Sequence, residues 1–407
     1  MDRVRLFIKS YHPIVHTLIL GTVMARAASS MSLPFLAIYL GKHSTMSAGM
    51  IGIVIGMGAL AGTLGGFIGG TLSDRFGRRV IMLAALFGWA VVFLGFGLVT
   101  NPVLFMLLNM LNGLCRSFYE PVSQALMADL TEPEKRRQVF SLRYMAINVG
   151  VAVGPLLGAF FATMNGALPF LLTGITYFVY AVTLYMLLIK FGIKQIEGEK
   201  KATVTFRSAW GVIRKDVTFR YYIIGGIIGA IGYSQVMVTL SQYLERDFAN
   251  GVQTFAVLMS VNAIAVIALQ IPLGRWAEKY SPLTAVVVGN MMFALGDVGF
   301  AFSHSLIWLG LSMVVFTFGE ILNYPAGNML IDQLAPEHMR GTYYGAQTLN
   351  NLGHFLGPWL GGFLLVAYGG KSLFLIMTIL TLSGSFFYYL GTKRQRKTKI
   401  ASKLEFL

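Results

Sequence analysis

Charged side chains in the middle of long apolar runs are the residues in this sequence best placed to do chemistry. Arg26, Arg116 and Glu320 each lie about 13 or 14 residues from the end of such a run. At 1.5 Å per helical residue, this depth is near the centre of a ~30 Å hydrocarbon layer. An ionised side chain there costs at least ~2.5 kcal/mol, so it needs a partner or water. These residues therefore indicate a pathway for an ion or a polar molecule.

Two interpretations of Glu320 stay open. Its carboxyl group can take up a proton from one side of the membrane and release it to the other, in competition with a substrate. Alternatively, it is permanently ionised and bound to an arginine for structural reasons. Glu120 follows Arg116 by four residues, a spacing at which helical side chains meet. These two form either a self-neutralising structural pair or part of a substrate site.

The sequence also predicts locations or roles for four other charged or titratable residues. Arg26, isolated between two alanines, is expected to face a central cavity. Arg143 lies nearer the end of its run, and with Arg26, Arg116 and Glu120 it completes the residues predicted to set charge selectivity. Asp297 is either a second titrating site or, as we expect, a residue in wet protein near the outer surface. His354 lies between closely spaced glycines and is expected to be a hydrogen-bonded packing residue.

Composition identifies the elements that must position these residues. Of the 407 residues, 56% are hydrophobic and 12% are charged, whereas a soluble domain has roughly 25% charged residues. Runs of about 20 apolar residues, enough to cross a bilayer as helices, follow one another along the chain. The predicted spans are 13–41, 47–72, 79–100, 103–129, 138–163, 167–190, 221–246, 252–274, 282–303, 306–332, 341–367 and 371–392.

Positive charge predicts the orientation of these spans. With both termini on one side of the membrane, 26 of the 32 basic residues lie on that side, and Lys42, Arg246 and Lys371 lie on the opposite side. The other three, Arg26, Arg116 and Arg143, lie within the predicted spans. Basic loops face the cytosol, so both termini are predicted to be cytosolic. The net charge of +15 follows from this asymmetry and needs no nucleic-acid partner. A single cysteine, Cys115, excludes an intrachain disulfide framework.

The spans form an all-α membrane protein with two halves. The predicted domains are a six-helix bundle over 1–190, a cytoplasmic linker over 191–220, a second bundle over 221–392 and a basic cytoplasmic tail over 393–407. Within the linker, residues 204–217 space apolar side chains among basic ones. This pattern suits either a helix on an anionic membrane surface or a solvated segment.

Internal repetition supports two related halves. At an offset of 203 or 204 residues, Pro121 recurs as Pro325, and the run from Gly150 to Gly158 recurs from Gly353 to Gly361. The segment beginning at Gly70 recurs at Gly274 at the same offset. Three matches in one order are hard to explain by chance. Parallel repeats around a midplane site are one design of secondary transporters.

Three motifs resemble those of a known family. The loop Gly69-Gly70-Thr71-Leu72-Ser73-Asp74-Arg75-Phe76-Gly77-Arg78-Arg79 closely resembles the signature loop of the major facilitator superfamily. The run Gly150-x3-Gly154-Pro155-x2-Gly158 resembles the glycine-proline motif of its proton-coupled antiporters, with Ala159 in place of the usual final glycine. The segment from Phe318 to Pro325 is similar to one in twelve-helix drug:proton antiporters, including bacterial multidrug-resistance exporters.

The resemblance implies roles for the motif residues. Gly70, Asp74, Arg75, Gly77, Arg78 and Arg79 would form a cytoplasmic gate that stabilises the outward-open state, with Asp129 as a second acid. Gly150, Gly154, Pro155 and Gly158 would form a helix bend associated with antiport, although close packing alone also explains them. Glu320 matches the acid of the antiporter segment. Arg143 stands where some proton-driven exporters have an acid, which argues against a simple cation as substrate.

These observations predict a secondary active transporter with the major facilitator fold. The leading hypothesis is proton-coupled export of amphipathic small molecules or drugs by alternating access. The alternatives are proton-coupled uptake of a zwitterionic nutrient such as a peptide, and lipid flipping. No nucleophile, metal or phosphate-binding motif indicates an enzyme. We expect no cofactor, a proton gradient as energy source, a monomer, and location in the bacterial cytoplasmic membrane.

Overall fold

All regular elements in the described part of the protein are helical. A computed structural model describes residues 11–193, 206–336 and 340–405, and a few side chains within these ranges, including those of Asp74 and Arg75, lie outside the description. The first seven helices are α1 (Pro13–Ser32), α2 (Leu36–His43), α3 (Ala48–Phe76), α4 (Arg78–Leu98), α5 (Pro102–Asp129), α6 (Pro133–Met164) and α7 (Leu168–Lys190).

The remaining eight helices begin with one inside the predicted linker. They are α8 (Phe206–Lys215), α9 (Val217–Ser234), α10 (Leu240–Asp247), α11 (Gly251–Ala277), α12 (Pro282–Phe302), α13 (Leu306–Leu334), α14 (Arg340–Gln347) and α15 (Asn351–Glu405). Short turns of tighter or wider helix continue α1 into α2, α9 into α10 and α14 into α15. Most breaks between long helices coincide with Pro, Gly, Ser or Asn, which favour helix starts and ends.

The predicted spans coincide with membrane-length helices. Ten stretches of the described residues are long and apolar enough to cross a membrane. The last of these, Tyr343–Arg396, contains two predicted spans, separated at Gly369, where φ is 78° and ψ is 170°. α5 has 28 residues but falls outside the ten because polar side chains interrupt its apolar sequence. The prediction of an all-α membrane protein with about twelve spans is confirmed.

Two helices differ in extent or continuity from the predicted spans. α15 continues as a helix to Glu405, well beyond the predicted end at residue 392. The first span is interrupted by a 3-10 turn, Leu33–Phe35. Pro34 in this turn lacks the N–H that a continuous helix requires.

The chain divides into two compact units. One comprises Met1–Thr45 and Leu60–Thr203, and the other comprises Met46–Ala59 and Val204–Leu407. Inside the first unit, α1 packs against α6, and α4 packs against α5 and α7. Inside the second, α9 packs against α15, and α12 packs against α13 and α15. The repeated motifs thus occupy equivalent helix pairs, while the predicted domain boundaries stay a prediction.

The glycine runs allow these helices to pack closely. A Cβ atom at Gly150 would lie 2.7 Å from Arg26 Cβ and 2.8 Å from Val23 O, so α6 approaches the backbone of α1. In the second unit, a Cβ atom at Gly357 would lie 2.9 Å from Ile231 O on α9. Glycine permits this close approach because it has no side chain at the contact.

Gly154→Ala should destabilise the first unit by about 1–3 kcal/mol, because overpacking forces the backbones apart. The new methyl group would lie 2.7 Å from Ser30 Cβ and 3.0 Å from Met31 N. The measurement is unfolding by sodium dodecyl sulfate in mixed micelles. Gly66→Ala is the control, since no atom lies within 4 Å of a Cβ at Gly66. Equal stability of the two variants would contradict close packing at Gly154.

A short helix occupies the described part of the linker. α8 lies within the predicted 204–217 segment, and residues 194–205 of the linker lie outside the described residues. Val212 and Ile213 are buried, whereas Trp210 is 56% exposed. Asp216, at the junction with α9, accepts a hydrogen bond from the Tyr343 hydroxyl at 2.8 Å. This amphipathic helix fits the sequence pattern, and its position on a membrane surface stays a prediction.

Candidate functional site

In the first unit, one carboxylate binds two arginines. Glu120 on α5 forms ion pairs with Arg26 on α1 through Oε1 and with Arg143 on α6 through Oε2. The side chains of Arg26, Glu120 and Arg143 are 25%, 22% and 12% exposed. We call these three residues the arginine triad. Charge-assisted hydrogen bonds of this kind are about twice as strong as neutral ones.

Close packing of α6 on α1 positions the arginine triad. Gly150 brings the two backbones together beside Arg26, and Arg143 lies two turns earlier on α6. On the other side of α1, the Tyr177 hydroxyl of α7 donates to Ala25 O at 3.3 Å. The ring of Tyr177 lies 4.9 Å from that of Trp89, centroid to centroid. Buried aromatic side chains therefore fix the helices around the triad.

Arg116 does not pair with Glu120, contrary to the self-neutralising pair suggested by their spacing. Glu120 binds Arg26 and Arg143 instead, and the described residues include no ion-pair partner of Arg116, whose side chain is exposed. Tertiary packing instead brings Arg26 and Arg143 from neighbouring helices, and each of them binds one of the two carboxylate oxygens.

In the second unit, Glu320 has neutral partners. Its Oε2 accepts from Asn262 Nδ2 on α11 at 2.8 Å, and its Oε1 accepts from the Tyr233 hydroxyl on α9 at 3.2 Å. Asn262 Nδ2 also lies 2.9 Å from Thr317 Oγ1. Asn262 and Thr317 are buried. Three helices thus hold the carboxyl group in place.

Tyr233 packs among aromatic rings. Its centroid lies 6.1 Å from Phe316, 6.2 Å from Phe293 and 5.7 Å from Tyr324. The imidazole of His354 lies 6.1 Å from it in an edge-on arrangement, so His354 is placed beside the site. These rings therefore pack around the tyrosine whose hydroxyl group donates to the carboxyl group of Glu320.

The two glutamates have opposite electrostatic surroundings. Two guanidinium groups neutralise Glu120, and an arginine remains protonated at any pH that a cell meets. No lysine or arginine in the described part of the chain forms an ion pair with Glu320. A hydroxyl group can donate to a carboxylate or accept from a carboxylic acid, so Tyr233 can satisfy either protonation state of Glu320.

Asp297 is buried, not in wet protein near the outer surface as expected. It has 0% exposure, and neither carboxyl oxygen has a hydrogen-bond partner among the described residues. Its position near the end of α12 was compatible with solvation, but its side chain points into the packed interior. Burial of an unpaired carboxylate ion would cost several kcal/mol, so we expect the uncharged acid there.

Asp297→Asn should therefore change the free energy of unfolding by no more than about 1 kcal/mol, since an uncharged amide replaces an uncharged acid of similar size. The same detergent unfolding titration at pH 7 measures it. A loss of about 3 kcal/mol or more would instead indicate an ionised Asp297 with a buried partner.

The predicted gate motif is not a long loop, because Gly70, Asp74 and Arg75 lie within α3, Arg78 and Arg79 begin α4, and only Gly77 separates the two helices. Gly77 has a φ of 84°, a conformation that favours glycine. Arg79 Nη1 donates to Ile193 O at 2.9 Å. Asp129 is the last residue of α5 and is exposed. The side chains of Asp74 and Arg75 lie outside the described part of the structure, so the gate role stays a prediction.

Sequence reasoning missed Tyr233, Asn262 and Thr317 as partners of Glu320. Asn262 carried a signal, since its amide interrupts the apolar run 252–274 and a buried amide needs hydrogen-bond partners. Tyr233 carried none, because tyrosine is common in these helices. The structure also brings Arg26, Glu120 and Arg143 together, whereas Arg116 stays apart from their ion pairs.

Comparison with known proteins gives close relatives along the whole chain. An uncharacterised MFS-type transporter of Bacillus subtilis, YqjV, is 37% identical over 404 residues, covering 98% of both chains. A Na(+), Li(+), K(+)/H(+) antiporter of Planococcus maritimus is 28% identical, covering 86% of this chain and 89% of that one. The multidrug resistance protein MdtH of Escherichia coli is 25% identical, covering 80% and 81%.

The fold has solved counterparts. The crystal structure of the nucleoside transporter NupG superimposes with a TM-score of 0.80 at 14% identity, covering 94% of this chain and 100% of the other. Likeness at this identity concerns the fold alone. The family model described as Major Facilitator Superfamily matches residues 18–351, and this range includes the arginine triad and Glu320. The chain therefore belongs to the major facilitator superfamily, as its motifs predicted, and is a multi-pass membrane transporter of small molecules, not an enzyme.

Proposed function

We propose that this transporter is a proton-coupled exporter of amphipathic small molecules that works by alternating access. Glu320 carries the proton. The observation that supports this role is its environment: a partly buried carboxyl group with hydrogen bonds from Asn262 and Tyr233 and no ion pair among the described residues. Such a group can change its protonation state, whereas Glu120 forms ion pairs with two arginines.

The proton and the substrate compete in this mechanism. Deprotonated Glu320 exposes a negative charge in a low-dielectric surrounding, which favours the state that takes up a proton from the outer side. Substrate then binds on the cytoplasmic side as the proton leaves. The energy source is the proton gradient, and no bound cofactor takes part. The proposed form is a monomer in the bacterial cytoplasmic membrane, with both termini in the cytosol.

Two relatives of this chain support export coupled to protons. One is an antiporter that exchanges alkali cations for protons, and another is a multidrug resistance protein. Alkali-cation exchange is therefore the second candidate function for this chain. Net positive charge from Arg26, Arg116 and Arg143 against Glu120 favours an organic substrate over Na⁺ or K⁺ in the first unit.

Accumulation in proteoliposomes tests the proposed direction. At equilibrium an antiporter concentrates substrate in the acidic compartment and a symporter concentrates it in the alkaline one, whichever way the protein is inserted. Labelled cationic, anionic, zwitterionic and neutral compounds, with Na⁺ and K⁺, are compared under both gradients, with protein-free liposomes and an uncoupler as controls. We expect protein-dependent accumulation of an amphipathic compound in the acidic interior. Accumulation in the alkaline compartment would show symport.

A further inference from the structure

The first unit contains an excess of positive charge at membrane depth. Within the membrane-length helices α1, α4, α5 and α7 and within α6 from residue 138 onwards, away from the helix ends, the charged side chains are Arg26, Arg116, Glu120 and Arg143. Glu120 compensates one of the three arginines, so this region carries a charge of +2. Arginine cannot lose its proton under cellular conditions, and the excess is therefore permanent.

Donor groups in this region exceed the acceptors. Each guanidinium group has five N–H donors, and the ion pairs to Glu120 involve one nitrogen of Arg26 and one of Arg143. Arg143 Nε is buried and has no hydrogen-bond partner among the described residues. A buried donor without an acceptor is costly. The triad thus retains capacity for a further anionic group.

Arg116 adds hydrogen-bond donors at an exposed position near the arginine triad. It lies one turn before Glu120 on α5, its side chain is exposed, and the described residues include no ion pair for it. A cation near the bilayer centre needs water or a counter-anion. Arg26 and Glu120 are themselves about a quarter exposed. By contrast, the neighbouring rings of Trp89, Tyr119 and Tyr177 are buried and support the helices without offering a surface.

We propose that Arg116 and the free donors of the arginine triad form an anion subsite that binds the carboxylate of an organic substrate. Guanidinium groups bind carboxylates through paired hydrogen bonds. The inference rests on the proposed transport function, and it narrows the substrate to organic anions and to zwitterions with a carboxylate. A substrate with only cationic charge would meet repulsion here.

Binding of a matched series of probes to purified full-length protein in detergent tests the subsite. The probes are 2-naphthoate, 2-naphthamide and 2-naphthylmethylammonium, which share one aromatic body and differ in charge. Isothermal titration calorimetry at low salt should give about tenfold tighter binding of naphthoate than of naphthamide, with the ammonium weakest. Equal affinities, or tightest binding of the ammonium, would overturn the proposal.

Substitutions test whether Arg116 causes the preference for naphthoate. Arg116→Gln should remove most of the naphthoate preference and leave naphthamide affinity unchanged, whereas Arg246→Gln, at an exposed arginine on α10, should keep the preference. If Arg116→Gln fails to fold, Arg116→Lys is the second variant, because it retains the charge but lacks the planar guanidinium group that binds a carboxylate through two hydrogen bonds. Its preference for naphthoate should be weaker than that of the wild type but not absent. An undiminished preference in the folded variant would overturn the assignment to Arg116.

Two further measurements identify which class of anion the subsite binds and separate this proposal from the antiport mechanism. If sodium sulfate or phosphatidylglycerol displaces naphthoate at equal or lower concentration, the subsite serves an inorganic anion or a lipid headgroup and the substrate assignment is wrong. Naphthoate preference is measured without a gradient, so it should persist in Glu320→Gln. If the wild-type protein prefers naphthoate but accumulates no substrate under a proton gradient, only the antiport mechanism is refuted. If it accumulates substrate but does not prefer naphthoate, only the anion subsite is refuted.

Discussion

Replacing Glu320 by glutamine should abolish proton-driven accumulation while leaving the protein folded. Glutamine can keep hydrogen bonds with Asn262 and Tyr233 but cannot bind or release a proton. The accumulation ratio in proteoliposomes should fall to about one, the equilibrium value for a carrier whose substrate affinity is not linked to protons. The free energy of unfolding should change by no more than about 1 kcal/mol, because neutral hydrogen bonds replace neutral hydrogen bonds.

A matched variant controls for the chemical change. Glu278→Gln makes the same substitution at an exposed residue that follows α11, and it should transport as wild type does. Counterflow exchange of substrate, which needs no net proton movement, should survive in Glu320→Gln. Gradient-driven accumulation by Glu320→Gln at the wild-type ratio would place the proton site elsewhere, and Asp297 would then be the next carboxyl group to test.

Replacing Glu120 by glutamine should produce the largest loss of stability. The variant leaves Arg26 and Arg143 near each other without the carboxylate that joins them. Removal of one member of a buried ionic cluster typically costs 3–5 kcal/mol, because the remaining charge is buried without compensation. We therefore expect a decrease of about 3–5 kcal/mol in the free energy of unfolding, measured in mixed micelles.

A double-mutant cycle isolates the ionic interaction. Glu120→Gln combined with Arg143→Gln removes one negative and one positive charge, so it should be less destabilising than the sum of the two single variants. Glu278→Gln again serves as the control for the chemical change. Additive effects of the two substitutions, or a loss below about 1 kcal/mol in Glu120→Gln, would show that the pair behaves as a solvated surface contact.

The sequence predicted what depends on periodicity and composition. Runs of apolar residues determine membrane-length helices in almost any tertiary context, because a helix is the form that satisfies backbone hydrogen bonds in lipid. The offset between Gly150 and Gly353 correctly indicated equivalent helix pairs, since the same spacing of small residues produces the same close approach. The break within the first span at Pro34 was also open to prediction from proline chemistry.

The partners of the charged residues could not be predicted in the same way. Glu120 has Arg116 as its sequence neighbour, but tertiary packing brings Arg26 and Arg143 to its two oxygens. Asp297 shows the same limit, because distance along a helix does not reveal which face is buried. In both cases the deciding contacts join residues far apart in sequence, and a local pattern carries no information about them.

Exchange of substrate for a proton at Glu320 is the central claim, and proton release on binding tests it most directly. Purified protein in weakly buffered detergent solution, at a pH where Glu320 is protonated, is mixed with saturating substrate while a pH-sensitive dye reports proton movement. The account predicts release of about one proton per wild-type molecule and none from Glu320→Gln, with release retained in Glu278→Gln. Proton uptake by the wild type, or equal release from Glu320→Gln, would contradict it.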